Sequence, residues 1–140
     1  MSEKKFEIFR YPLMIKESHL DTFGHMNNAA YLQVLEEARW EFITSKGMGV
    51  KTIQETGKGP TILEINLRFV KELRLRQSVV IETETLAVER KITYLRQTIL
   101  NEENQVCLEA KLTLGLFDIR ERKLIQPTPD WLRAIGQING

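Results

Sequence analysis

The stretch that decides the fold runs from residue 19 to residue 40: His19-Leu20-Asp21-Thr22-Phe23-Gly24-His25-Met26-Asn27-Asn28-Ala29-Ala30-Tyr31-Leu32-Gln33-Val34-Leu35-Glu36-Glu37-Ala38-Arg39-Trp40. Its second half reads as a helix. Tyr31, Leu35, Ala38 and Phe42 recur at helical spacing, and Leu32, Val34 and Ile43 widen the apolar stripe, which predicts a helix from Tyr31 to about Lys46. Asn27 or Asn28 caps its start, and Gly47 ends it. So broad an apolar surface implies that a sheet wraps the helix.

The sequence on either side supplies that sheet. Upstream, Phe6, Ile8, Leu13 and Ile15 alternate with polar residues around Pro12, which predicts a strand that is bent or lies at an edge. Downstream, Leu63, Ile65, Leu67 and Phe69 alternate with Glu64, Asn66 and Arg68 at a period of two. Val79 to Val88 is rich in β-branched residues. Ile92 to Leu100 and Val106 to Phe117 flank a hairpin loop, Asn101-Glu102-Glu103-Asn104. Asp118 to Lys123 reads as a turn. Thr128-Pro129 opens a short last helix that carries Trp131, Leu132 and Ile135. A strand, a long helix and then about four antiparallel strands make an α+β layer architecture. One such sheet leaves its edges open, and pairing with a second copy closes them.

The chain of 140 residues fits a single domain, 1–140, large enough to bury a core without disulfides or metal. Its net charge of +1 gives no field to draw in nucleic acid or an anionic membrane. No apolar run approaches a signal peptide or a membrane span, and the single cysteine, Cys107, fits a reduced compartment. The expectation is a cytoplasmic protein. Two histidines and one cysteine cannot build a Cys/His zinc site, so no metal is expected.

The chemistry lies in the first half of the opening stretch. Asp21 to Tyr31 packs a carboxylate, an imidazole and two amides into a short loop at a helix N-terminus. A helix start offers free backbone N–H groups and the positive end of the dipole, which can stabilise a carbonyl oxygen that gains negative charge. Asp21 can activate water or attack a carbonyl carbon held there.

His19 to Leu32, continued by Leu35-Glu36-Glu37-Ala38-Arg39-Trp40, resembles the 4-hydroxybenzoyl-CoA thioesterase family of hotdog proteins, most of all its bacterial long-chain acyl-CoA branch. The order of Asp, His-x-Asn-Asn and Tyr also resembles plant acyl-carrier-protein thioesterases. The resemblance implies a hotdog fold, a long central helix wrapped by a curled antiparallel sheet. It implies an acyl-CoA thioesterase with no cofactor beyond the CoA of its substrate, and a homodimer or homotetramer. By position, Asp21 falls on the catalytic carboxylate and Asn28 where a backbone N–H polarises the thioester carbonyl. His25 and Asn27 shape the site or orient water. Tyr31 and Glu37 match helix positions that support or line it. Phe23 stands where the plant enzymes carry a polar residue, and Gln77-Ser78 where relatives often carry an aspartate.

An apolar slot beside the helix, lined by Phe23, Met26 and Leu35, is expected to take the acyl chain. Arg68, Lys71, Arg74, Arg76, Arg90 and Lys91 gather in sequence around two strand ends and suit the phosphates of CoA, although Glu64, Glu72, Glu82, Glu84 and Glu89 interleave with them. Glu36 and Glu41 read as a solvated helix face, and Cys107 as a small buried hydrophobe. The rival readings are hydrolysis of acyl-acyl carrier protein, a hydratase or dehydratase on the same fold, and a non-catalytic acyl-thioester-binding protein.

Overall fold

The computed structural model describes residues 5–138. A strand Phe9–Met14 (β2) follows a short one, Lys5–Phe6 (β1), and a single 3-10 turn at Glu17–His19 leads into the loop. The long helix α1 spans Asn28–Ser45, and a second helix α2 spans Val50–Thr56. Four long strands follow: β3 (Lys58–Phe69), β4 (Ser78–Glu89), β5 (Ile92–Leu100) and β6 (Val106–Asp118). The chain closes with β7 (Lys123–Ile125), α3 (Pro129–Ala134) and β8 (Gln137–Ile138).

The main sheet is antiparallel throughout, in the order β2-β4-β5-β6-β3. β7 pairs the end of β6, and β1 pairs β8 in a separate ribbon. Pro12 and Pro60 sit on β2 and β3, the two edges, where the missing N–H breaks no interior ladder. A bulge at Leu63 in β3 leaves that residue without a register partner and bends the strand.

Asn27 is the cap of α1: its side chain accepts from the Ala29 N–H at 2.7 Å. Gly47, at φ +91°, turns the chain away after the last turn. Ala30, Tyr31, Val34, Leu35, Ala38, Phe42 and Ile43 of α1 are buried against the sheet. Leu32, read as widening that stripe, is instead 41 % exposed, because it lies on the flank of the helix that the sheet does not reach. Phe42 stacks on Phe9 with ring centroids 4.9 Å apart, which fixes β2 against the helix. Leu35 is fully buried, so its truncation to Ala costs about 2–5 kcal/mol. Thr128 caps α3 through the Trp131 N–H, and the buried Trp131 indole N–H donates to Thr93 Oγ1 at 3.2 Å.

Candidate active site

The loop before α1 folds as a miniature hairpin. Leu20 bridges Met26, the Asp21 N–H donates to His25 O at 2.8 Å, and the Asn27 N–H donates to His19 O at 2.9 Å. Gly24, at φ +80°, makes the reversal, a conformation that glycine adopts without strain. The Asp21 carboxylate finishes the turn: Oδ1 accepts from the Phe23 N–H at 2.9 Å and from the His25 N–H at 3.1 Å. Oδ2 has neither a hydrogen-bond nor an ion-pair partner among the described residues. The result is a carboxylate fixed by one oxygen and available through the other.

The start of α1 lies next along the chain. Of its first N–H groups, that of Ala29 is held by the Asn27 side chain, and those of Ala30 and Tyr31 by Asn27 O. The Asn28 N–H meets no acceptor among the described residues and is exposed. A free N–H at the positive end of an 18-residue helix is a donor suited to a developing oxyanion.

The other expected site residues divide. Asn27 is spent on the cap. The His25 imidazole turns towards the β3–β4 loop, where Nε2 lies 3.3 Å from Glu72 Oε1, with both side chains largely exposed. Tyr31 is buried and meets Phe69 edge-on at 5.1 Å, so it supports the loop from below; burial, with Cys107 and Glu72 nearby, pushes its phenol up. Glu37 accepts a short hydrogen bond from the Tyr11 hydroxyl on β2, on the flank of α1 away from the loop. Cys107 is buried and its thiol is pushed up by burial, the opposite of a nucleophilic thiolate.

The expected slot between Phe23, Met26 and Leu35 does not form within one chain. Phe23 projects into solvent at 85 % exposure, while Met26 and Leu35 are packed into the core. A cavity of about 120 Å³ lies elsewhere, between the flank of α1 that carries Glu36, Arg39 and Ile43 and a wall that includes Pro60, Ile62 and Trp131. Glu36 lines it, so it is more than solvated surface. Arg39 is partly buried beside it; desolvation pulls its guanidinium down, Glu36 opposing, though arginine stays charged. Arg39 Nη1 donates to Gln97 Oε1 at 2.9 Å, and the fully buried Gln97 donates to Leu35 O and to Thr83 Oγ1, each at 3.0 Å. The sequence carried one sign of this: Gln97 interrupts the inward row Thr93, Leu95, Ile99 of β5 with a long amide.

The basic residues split between the two ends of β4. Lys71, Arg74 and Arg76 lie on the loop that brings Glu72 to His25, and Arg90 and Lys91 form the turn at the far end. Arg76 is paired with Glu17 at 2.8 Å, and Lys71 donates to Gln105 at 2.7 Å.

The chain is similar in sequence and in fold to known proteins. Residues 16–135 match the family model described as the thioesterase-like superfamily. The long-chain acyl-CoA thioesterase FadM of Escherichia coli is 27 % identical over 81 % of this chain and 86 % of its own length. The chloroplastic acyl-acyl carrier protein thioesterase ATL2 of Arabidopsis thaliana is 30 % identical over 83 % of this chain, which spans only 62 % of that protein. In fold, a Staphylococcus aureus protein solved in complex with CoA superposes with a TM-score of 0.85 at 16 % identity, over 96 % of this chain and 85 % of that one.

Proposed function

The chain belongs to the thioesterase-like superfamily, with its hotdog fold, and from that premise we propose that it hydrolyses an acyl-CoA to the free acid and CoA at Asp21. The observation that carries this reading is a fixed carboxylate, free at Oδ2, in the loop that leads directly into the unengaged Asn28 N–H at the start of α1.

In this mechanism the thioester carbonyl oxygen docks on the Asn28 N–H. Asp21 Oδ2 takes a proton from water as the water oxygen bonds to the carbonyl carbon, or itself attacks that carbon. Negative charge gathers on the carbonyl oxygen, where the N–H and the helix dipole hold it. Collapse breaks the C–S bond: where water attacks, the thiolate leaves with the proton returned through Asp21, and where Asp21 attacks, a water then hydrolyses the Asp21–acyl anhydride, which frees the acid, restores the carboxylate and supplies the thiolate's proton. His25 shapes the approach, held aside by Glu72, and Asn27 and Tyr31 fix the loop. The chemistry calls on no resident cofactor, since CoA is part of the substrate. Lys71 and Arg74, on the loop that reaches His25, are the basic residues best placed for its phosphates.

A second carrier, acyl carrier protein, is favoured by the likeness to the Arabidopsis enzyme. We also place the working form in the cytoplasm as a homo-oligomer. The support is that no helix among the described residues is long and apolar enough to cross a membrane, and that β3 leaves an open edge beside exposed Leu63, Phe69 and Val70. The test is a screen of saturated, unsaturated and aromatic acyl-CoAs and acyl-acyl carrier proteins that reads released thiol, with Asp21→Asn as the control. Thiol release that depends on Asp21 is expected. Tight acyl-CoA binding with no turnover would make the protein a binding module instead.

A further inference from the structure

We propose that the cavity beside α1 receives the far end of the acyl chain, and that Arg39 and Glu36 there select a chain bearing a terminal hydroxyl. The inference rests on the thioesterase reading and names its substrate class.

Three observations carry it. First, a polar relay is built into a core that is otherwise apolar at this level. Gln97 is fully buried, and its amide can point only one way, because Nε2 donates to Leu35 O and to Thr83 Oγ1. Its Oε1 is therefore left as an acceptor, and it holds the Arg39 guanidinium at the cavity wall. Burying a glutamine there is costly unless every polar atom is used, and here all of its hydrogen-bonding sense is spent on placing Arg39. Second, Arg39 forms no ion pair among the described residues, and only one of its five N–H groups meets a partner. Arg39 lines a cavity whose other walls include Ile43, Ile62 and Trp131.

Third, the cavity lies in line with the proposed reaction centre. Asn28, Leu32, Glu36, Arg39 and Ile43 are spaced four, four, three and four residues apart, one ridge of the helix. Leu32, 41 % exposed, is an apolar side chain on that ridge between Asn28 and Glu36. Arg39 lies eleven positions after Asn28, about 16 Å along the axis, and the arginine side chain leans back about one turn. With bonds near 1.52 Å and angles near 111°, an extended chain advances about 1.25 Å per carbon, so roughly nine to thirteen carbons bridge the span.

The choice of hydroxyl follows from the two polar groups. Arginine only donates, and an ionised glutamate only accepts. A hydroxyl accepts from Arg39 and donates to Glu36. A terminal methyl leaves the partly buried Arg39 without a further partner and offers Glu36 nothing in place of water, and a terminal carboxylate meets Arg39 but faces the charge of Glu36.

The test compares kcat/KM for 12-hydroxydodecanoyl-CoA, dodecanoyl-CoA and the CoA thioester of the dicarboxylic acid of the same length. The wild-type protein is expected to prefer the hydroxy chain over the plain one by about tenfold, the worth of one net hydrogen bond. Arg39→Met should abolish that preference. Glu36→Ala, on the exposed rim where folding is not at stake, should lower it and raise the turnover of the dicarboxylic chain, whose carboxylate then meets Arg39 unopposed. Equal or better turnover of the plain chain by wild type overturns the inference and leaves the thioesterase reading intact, as does a preference that survives both substitutions. If no acyl-CoA is cleaved, the thioesterase reading fails instead. Calorimetric binding of methyl 12-hydroxydodecanoate against methyl dodecanoate, to wild type and Glu36→Ala, then decides the cavity without turnover: a hydroxyl preference lost in Glu36→Ala supports it, and equal binding overturns it.

Discussion

Asp21 and His25 hold each other by their backbones and by one carboxylate oxygen: the Asp21 N–H donates to His25 O, and the His25 N–H donates to Asp21 Oδ1. The same oxygen takes the Phe23 N–H, so the carboxylate is both the turn's keystone and the proposed reactive group. Asp21→Asn separates these roles. The amide oxygen can still accept both N–H groups, so the loop should keep its shape, while the base or nucleophile is gone. Turnover is expected to fall by about two orders of magnitude or more with an unchanged circular dichroism spectrum. A folded variant with near-normal turnover would remove Asp21 from the mechanism.

The elements that reached the sequence plainly are those with one strong periodic face. α1 shows its core stripe at helical spacing, and β5 occupies the expected span, Ile92–Leu100, because one of its faces is turned to the core while β4 and β6 pair both of its edges. α2, seven residues with none buried and no side-chain cap, left no periodic trace, and β7 is three residues long. β3 begins at Lys58, well before its expected start, since Gly59 and Pro60 look like a turn yet are tolerated on an edge strand. At the candidate site, the Asn27 cap was legible because its contact is local to the start of α1. The Arg39–Gln97 pair was not, because it joins residues 58 positions apart, and nothing in a linear pattern says that a helix arginine will meet an inward strand glutamine.

The Tyr11–Glu37 contact ties β2 to α1 and carries a pH signature. Accepting the phenol proton's hydrogen bond, then burial and the charges of Glu37 and Glu41, push Tyr11 up from 10.0 to about 12. The native phenol keeps its proton where the unfolded one has lost it, so this stabilisation is whole below pH 10 and disappears as pH climbs to about 12. Wild-type unfolding free energy should therefore fall more steeply than that of Tyr11→Phe across that interval, as read by urea titrations. Parallel curves would show that the contact does not persist in solution.

Light scattering at micromolar concentration should return at least twice the 16.3 kDa of one chain. The open edge of β3, with Leu63 unpaired at the bulge, is the surface that asks for a partner. Leu63→Lys places a charge on that edge without touching the core, and should shift the mass towards the monomer. A wild-type monomer with full activity rules the oligomer out.

The role of Asn28 can be isolated because it occupies the first position of α1, directly after the Asn27 cap. Its side chain and its backbone N–H make separate predictions. Asn28→Ala keeps the N–H and should lower kcat only modestly. Asn28→Pro removes the N–H at the one helical position where proline is welcome, since that donor has no place in the helix ladder and the ring's φ suits the first turn. Asn27 already sits at φ −66° and ψ 139°, the extended region that a following proline demands, so the cap is not disturbed. The proline variant should therefore melt near the wild-type temperature while its kcat drops by ~10²–10³-fold, the loss of one oxyanion donor. KM should change far less, because the N–H acts mainly on charge that develops after binding. If Asn28→Pro folds and turns over normally while Asn28→Ala is crippled, the side-chain amide is the working group. The oxyanion would then have to be sought among Asn27, Asn28 and His25 side chains rather than at the helix start.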